Sequence, residues 1–311
     1  MSGSSAASTP AIVPGSLAAW GIACRLPSLL VAISPVLVGT ALAWARTGQF
    51  SALTMALALV AAVLLQIVSN LQNDVGYTTR GAEQHGDRVG LPRATARGWL
   101  DVRQVRAAII VCSALTLLLG LPLVMTHGWP VLAMGLASLT AALAYMGGPR
   151  PIAYTPLGEA VVFVFFGLVA VTGSDFIQTG SVGAASWLAA VALGSLAAAA
   201  LAVNNHRDIP HDRRVGRRTF AVIFGPDASH RMYAASLVVA FALLLPMAWI
   251  GDNAAMLLPL VLLPKARRLQ QDFARCPPGA GFTAILVRTF KLELAFAASL
   301  ATGIVAGHLL R

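Results

Sequence analysis

The sequence predicts an all-α protein, a polytopic membrane bundle of nine transmembrane helices, and three observations carry that prediction. Of 311 residues, 57% are hydrophobic and 11% charged, against the roughly 25% charged residues of a soluble domain. Mean hydropathy is +0.75. Apolar stretches recur at about 27–45, 52–72, 105–125, 129–146, 157–173, 183–203, 232–250, 253–264 and 283–309, most of them long enough to cross a hydrocarbon core of ~30 Å as a helix. No polar segment between them is long enough to fold by itself, so residues 17–311 read as one transmembrane domain.

Taken in order, residues 1–16 (MSGSSAASTPAIVPGS) are small and polar, with no basic residue before Arg25. They read as a flexible tail, not a cleaved signal peptide. The eighth stretch is short and ends at Pro264 before KARR, which predicts a tilted or broken helix or one that runs on into amphipathic sequence. Trp20, Trp44, Trp129, Trp187 and Trp249 fall near predicted span ends, where amphipathic rings anchor at the interface. Cys24, Cys112 and Cys276 are scattered and give neither a disulfide framework nor metal-ligand spacing. His85, His206 and His211 form no zinc pattern.

Net charge is +10, which in a soluble domain would raise nucleic acid as a partner. Here the arginines sit in alternate loops: Arg80, Arg88, Arg93, Arg97 and Arg103 after the second span, Arg150 after the fourth, Arg207, Arg213, Arg214, Arg217 and Arg218 after the sixth, and Lys265, Arg267, Arg268 and Arg275 after the eighth. The positive-inside rule explains that distribution, excludes nucleic acid as the expected partner, and places these loops and the N-terminus in the cytoplasm.

The same rule leaves the acids of those loops unexplained. Span two runs into SNLQND and span six into VNNHRDIPHD, so asparagine followed by aspartate recurs at the inner ends of two spans four apart. That echo predicts two four-helix halves plus a ninth helix. Asn70, Asn73 and Asp74 stand at i, i+3 and i+4 and share one helix face. Asp208 and Asp212 flank Pro210, so Asp208 is placed to cap a new helix with the proline in its first turn. Amide and carboxylate oxygens are hard ligands, and magnesium is typically held by one or two carboxylates plus substrate phosphates. The bland reading is a polar helix end in headgroup water. Two acidic clusters at one membrane face favour a site, since ionisable groups within spans are costly. Arg80, Arg93, Arg97, Arg207 and Arg213 interleave the clusters, with the fork geometry that suits phosphate oxygens. The stretch 144–159 adds Arg150, Tyr154 and Glu159, the last favoured at a helix N-terminus. Arg25 before the first span, and Arg288, Lys291 and Glu293 in the last, are further candidates, with pairing inside the last span the simpler account of those three.

On SNLQND at 69–74, GLPRATARG at 90–98, YMGGPRPIAYTPLGE at 145–159 and AVNNHRDIPHDRRVGRRTFAVIFG at 202–225, the chain resembles the UbiA superfamily of intramembrane aromatic prenyltransferases. The likeness is closest to the 1,4-dihydroxy-2-naphthoate polyprenyltransferase (MenA) branch. It implies a helical bundle around a central cavity, with Mg2+ bridging two aspartate-rich motifs to a polyprenyl diphosphate at the cytoplasmic end. It further implies a cell inner membrane protein whose partners are that diphosphate, an aromatic acceptor and the bilayer. Carried over, Asn73, Asp74, Asp208 and Asp212 would hold metal, with Asp74, Asp208 and Asp212 the catalytic acids. Asn70, Arg80, Arg93, Arg150, Tyr154, Asn204, Asn205, Arg207 and Arg25 would contact substrate, Arg25 or Arg150 being the candidates for an acceptor carboxylate lost after transfer. One position departs from the family, whose first motif reads NDxxD: Tyr77 stands in place of its second aspartate. Glu83, farther on, stands where that branch often has another acid. The departure keeps other acceptors in view, namely a hydroxybenzoate, a homogentisate or a tetrapyrrole. A transporter or lipid-binding protein with a polar vestibule is the rival from another class.

Overall fold

A computed structural model describes residues 12–84 and 89–310, and among these the regular structure is entirely helical. In chain order the helices are α1 (Leu17–Cys24), α2 (Leu26–Thr47), α3 (Ala52–Thr79), α4 (Val102–His127), α5 (Trp129–Ala144), α6 (Gly158–Thr179), α7 (Ala184–Arg207), α8 (Ile209–Arg214), α9 (Phe220–Ile250), α10 (Leu263–Arg275) and α11 (Gly281–Leu309). Seven of them, α2, α3, α4, α6, α7, α9 and α11, are long and apolar enough to cross a membrane. The stretches expected as fourth and eighth spans differ: α5 has 16 residues, and the eighth opens as a 3-10 run, Ala254–Leu262, that becomes the amphipathic α10. Pro259 and Pro264 account for that break, because neither offers an N–H to a regular helix.

The α7 helix is the most enclosed of the seven. Its sequence, AASWLAAVALGSLAAAALAVNNHR, is rich in small residues, which lets neighbouring backbones approach closely where lipid supplies little drive for association. It packs against α9, α6 and α11, while α11 lies on α2 and α3 pairs with α4. The α6 and α7 backbones approach closely where Gly167 faces Gly194. There α6 carries a π-helical segment, Phe163–Val169, of the kind found as a bulge at functional positions.

Three ends fall elsewhere than the apolar pattern predicts. The α3 helix runs to Thr79, not 72; its 28 residues measure about 42 Å at 1.5 Å each, so its last turns carry Asn70, Asn73 and Asp74 beyond the apolar core. The α9 helix begins at Phe220 but breaks at Gly225 (φ 83°, ψ 175°), and Pro226 restarts it. The expected tail 1–16 ends early: Gly15 N–H donates to the Trp99 carbonyl at 2.8 Å, and the Ser16 side chain caps α1. Residues 1–11 of that tail lie outside the described residues, as do His85 and Arg88.

Asp175, on α6 at the end away from the acidic motifs, is fully buried. It accepts from Arg46 Nη2 (2.9 Å), Gly183 N–H (2.9 Å) and Ser186 Oγ (2.6 Å), tying α2 to the α6–α7 turn. Arg46→Met leaves the carboxylate buried without its cation. Because Arg46 is itself partly exposed, the expected loss is about 1–3 kcal/mol, below the full cost of breaking a buried pair. A lowered melting temperature in detergent checks this, and an unchanged one refutes the role. In the last span the pairing expected from spacing is not formed: Arg288 meets Asp272 on α10 at 2.6 Å, while Glu293 is fully buried and its carboxylate oxygens make no hydrogen bond among the described residues.

Candidate active site

The acidic motifs end α3 and α7 on the same side of the bundle, at the mouth of a cavity of about 530 Å3. Asn73, Tyr77, Arg93, Asn204, Arg207 and Arg217 line its polar end. From there an apolar arm runs between helices past Leu65, Leu121, Leu132, Phe165 and Phe166. The π segment supplies both phenylalanines, so the irregular backbone of α6 is what carries them into the cavity wall.

The corner between α7 and α8 is built by local rules. Asp208 ends α7, and Pro210 sits in the first turn of α8, where a missing N–H is tolerated. Gly216 (φ 76°) then reverses the chain: its N–H donates to the Arg213 carbonyl, and Arg217 N–H donates to the Asp212 carbonyl at 2.8 Å. This is a Schellman closure. It returns Arg217 to the helix it has just left, where Nη1 meets Asp212 Oδ1 at 2.6 Å and also donates to the Tyr77 hydroxyl, while Nε donates to the Ala153 carbonyl at 2.9 Å. Burial alone would pull the Arg217 pKa down; Tyr77 and Asp212 outweigh it and hold the guanidinium above its ordinary value. Arg207 grips both oxygens of Asp208, at 2.8 and 3.0 Å, and its Nη2 also donates to Asn204 Oδ1 at 2.9 Å.

The other expected residues divide by position. Asn70 donates to the Cys24 carbonyl at 2.8 Å and to Ser28 Oγ at 2.9 Å, tying α3 to the α1–α2 joint at the cavity wall. Asn205 donates to Glu159 Oε1 at 2.9 Å and links α7 to α6. Arg25 lines the cavity from a left-handed backbone position (φ 52°). Arg93 is fully buried, its guanidinium carbon 4.1 Å from the centre of the Tyr77 ring. Arg80 is exposed, donates to the Gly148 carbonyl and lies over Tyr154 at 5.5 Å. Burial pushes the Tyr154 phenol up, against the pull of Arg217 and Arg80.

Two expectations are corrected. Arg150 is exposed on an outer recess formed with Pro149 and Thr140, apart from the residues that line the cavity, so it does not reach an acceptor inside it. Asp74 turns onto the loop after α3: Oδ2 accepts from Ala94 N–H at 2.8 Å, and Oδ1 accepts from Thr95 N–H at 2.9 Å and Thr95 Oγ1 at 2.5 Å. Its carboxylate shapes the turn that carries Arg93. Arg217, a topology determinant by sequence, is instead buried at the cavity against Tyr77 and Asp212. The signal available for it was its place just past a glycine that closes α8.

For metal, the two motifs differ. Asp208, Asp212 and Asn204 offer two carboxylates and an amide oxygen around one corner, the hard-oxygen set magnesium takes when substrate phosphates complete its shell. Among the described residues no group of three or more His, Cys, Asp or Glu gathers. The oxygens of both motifs are engaged, but by different donors: Asp208, Asp212 and Asn204 are held by the Arg207 and Arg217 side chains, which a bound phosphate can draw away, whereas Asp74 is held by backbone N–H groups that cannot turn aside, and Tyr77 offers a phenol.

Arginine and asparagine side chains at one end of a largely apolar cavity, inside a bundle of membrane-length helices, define a multi-pass membrane protein with a cavity suited to an amphiphile with an anionic head. The chain belongs to the UbiA prenyltransferase family, whose model matches residues 32–275. It is 38% identical over 226 residues to the 1,4-dihydroxy-2-naphthoate octaprenyltransferase of Escherichia coli, covering 71% of this chain and 73% of that one. It is 36% identical over 239 residues to the Mycobacterium tuberculosis enzyme of the same name, covering 75% and 80%. A UbiA homologue from Archaeoglobus fulgidus, solved bound to GPP and Mg2+, shares the fold with a TM-score of 0.65 at 16% identity over 93% of this chain and 99% of that one.

Proposed function

We propose that this protein transfers a polyprenyl group from a polyprenyl diphosphate to 1,4-dihydroxy-2-naphthoate, with loss of the carboxylate to give a demethylmenaquinol. The observation that carries the reading is the cavity itself, lined by Arg25, Arg93, Arg207 and Arg217 and by Asn70, Asn73 and Asn204 of the two motifs, with apolar side chains over the rest. Relatives at 36–38% identity named for that acceptor supply the substrate. In this reading α5 and residues 253–264 complete nine spans within one domain, 17–311, the basic residues of α10 lie at the cytoplasmic face, and the motif end faces the cytoplasm at the inner membrane.

Arg207 and Arg217, with Arg93, neutralise the diphosphate as it leaves, where charge-assisted hydrogen bonds in a dry site act most strongly. Asp208, Asp212 and Asn204 would hold Mg2+, which when bound adds a Lewis acid on the leaving oxygens. The departing diphosphate leaves an allylic carbocation, and the electron-rich ring carbon of the acceptor attacks it. Phe165 and Phe166 offer aromatic faces to that cation, and the apolar arm excludes the water that would quench it. Arg25, at the cavity wall, takes the acceptor carboxylate.

Purified protein in nanodiscs, given a polyprenyl diphosphate and a panel of acceptors with and without Mg2+, tests this. The expected product is a decarboxylated prenyl naphthoquinol formed only with metal. Prenylation of a different acceptor alone would refute the substrate while leaving prenyl transfer standing. Uptake of a solute without transfer would refute both.

A further inference from the structure

Resting on that reading, we infer that the α3 motif of this chain binds the diphosphate through protein cations, Arg93 and Arg217 gathered on Tyr77, in place of a divalent ion. Divalent metal is then confined to the Asp208–Asp212 corner.

Three observations converge. The Asp74 carboxylate is saturated by two backbone N–H groups and a hydroxyl of the 94–95 turn. Swinging it onto a metal would strand buried amide donors, a change that costs more than an ordinary hydrogen bond returns. Tyr77, which stands where the family has its second aspartate, is buried, and its hydroxyl accepts from Arg217. A phenol with an ordinary pKa near ~10 is a poor magnesium ligand, and two guanidinium groups already lie on it, Arg93 at 4.1 Å and Arg217 at 5.3 Å from the ring centre.

The third observation points outward to a ligand. Arg93 lines the cavity, yet its Nε and Nη1 are buried and make no hydrogen bond among the described residues. The Glu83 carboxylate, 3.8 Å from Nε, balances charge without bonding. Buried guanidinium donors without acceptors at the polar end of a cavity await an anion with several oxygens, and a diphosphate has that form. Arg217 is already balanced by Asp212, so Arg93 is the group with donors to give.

The test counts metal and measures binding with no turnover, using Mn2+ and a non-hydrolysable farnesyl thiolodiphosphate. Electron paramagnetic resonance titration is expected to show about one Mn2+ per wild-type chain at saturating analogue, and the Tyr77→Asp/Arg217→Gln variant to gain a second. With EDTA, calorimetry is expected to show residual analogue binding that Arg93→Gln weakens about 10-fold or more and Arg93→Lys weakens less, with the Mn2+ count unchanged in both. Two Mn2+ per wild-type chain would overturn the inference, as would metal-free binding indifferent to Arg93→Gln. No analogue binding under either condition would instead overturn the prenyl-diphosphate reading on which it rests.

Discussion

Asp212→Asn is expected to reduce prenyl transfer about 10²–10³-fold, the scale of losing one group that stabilises developing charge. The carboxylate is fully buried and sits 2.6 Å from Arg217 Nη1, so the substitution also leaves that guanidinium short of its counter-charge. Breaking a buried pair from one side costs about 3–5 kcal/mol, enough by itself to lower activity through unfolding. A cycle separates the two effects. Arg217→Gln added to Asp212→Asn removes both charges, and melting temperature in detergent is expected to recover most of the loss while transfer stays low. Recovery of transfer in the double variant would show that Asp212 serves only to neutralise Arg217. A double variant as unstable as the single one would show that the pair is not what holds this corner.

That corner also shows where sequence reasoning stops. The polar face of α3 was legible, because i, i+3 and i+4 positions share a helix face whatever surrounds them, and Asp208 and Asp212 were legible as acids that the positive-inside rule leaves unexplained. So was the enclosure of the bundle, from hydropathy and loop arginines. What spacing does not state is which of many arginines turns inward. Arg150 stands two residues after Gly148 and Arg217 directly after Gly216, both near a span end, yet one is exposed and the other buried. Both glycines are left-handed (φ 71° and 76°); the difference lies in the bond that follows, since Arg217 N–H donates to the Asp212 carbonyl and folds the residue back onto α8. Asp74 misleads for a related reason. Its partners come from residues 94–95, across a loop whose path no local pattern gives. The π segment of α6 was invisible because its sequence, FVFFGLV, is an ordinary apolar run; only contact with a glycine on the neighbouring helix distinguishes it.

Gly167→Ala is expected to damage the fold through packing at the wall of the site. An added Cβ would lie 2.4 Å from the Ala190 carbonyl oxygen and 2.6 Å from Gly194 Cα. Both are backbone atoms of α7, so no side chain is available to turn aside. The helices must separate, and α7, the central helix, has α9 and α11 packed on its other faces. Overpacking of this kind costs about 1–3 kcal/mol where side chains can shift, and the upper end applies where they cannot. The separation also re-registers the π segment and withdraws Phe165 and Phe166 from the cavity wall, so activity should fall further than stability alone explains. Gly173→Ala is the control on the same helix, since its Cβ would meet only the flexible Met134 side chain, at 3.4 Å. A lowered detergent melting temperature is expected for Gly167→Ala and little change for Gly173→Ala. Equal effects from both would mean that glycine is needed along α6 for helix flexibility in general, and the close crossing with Gly194 would lose its role in shaping the site.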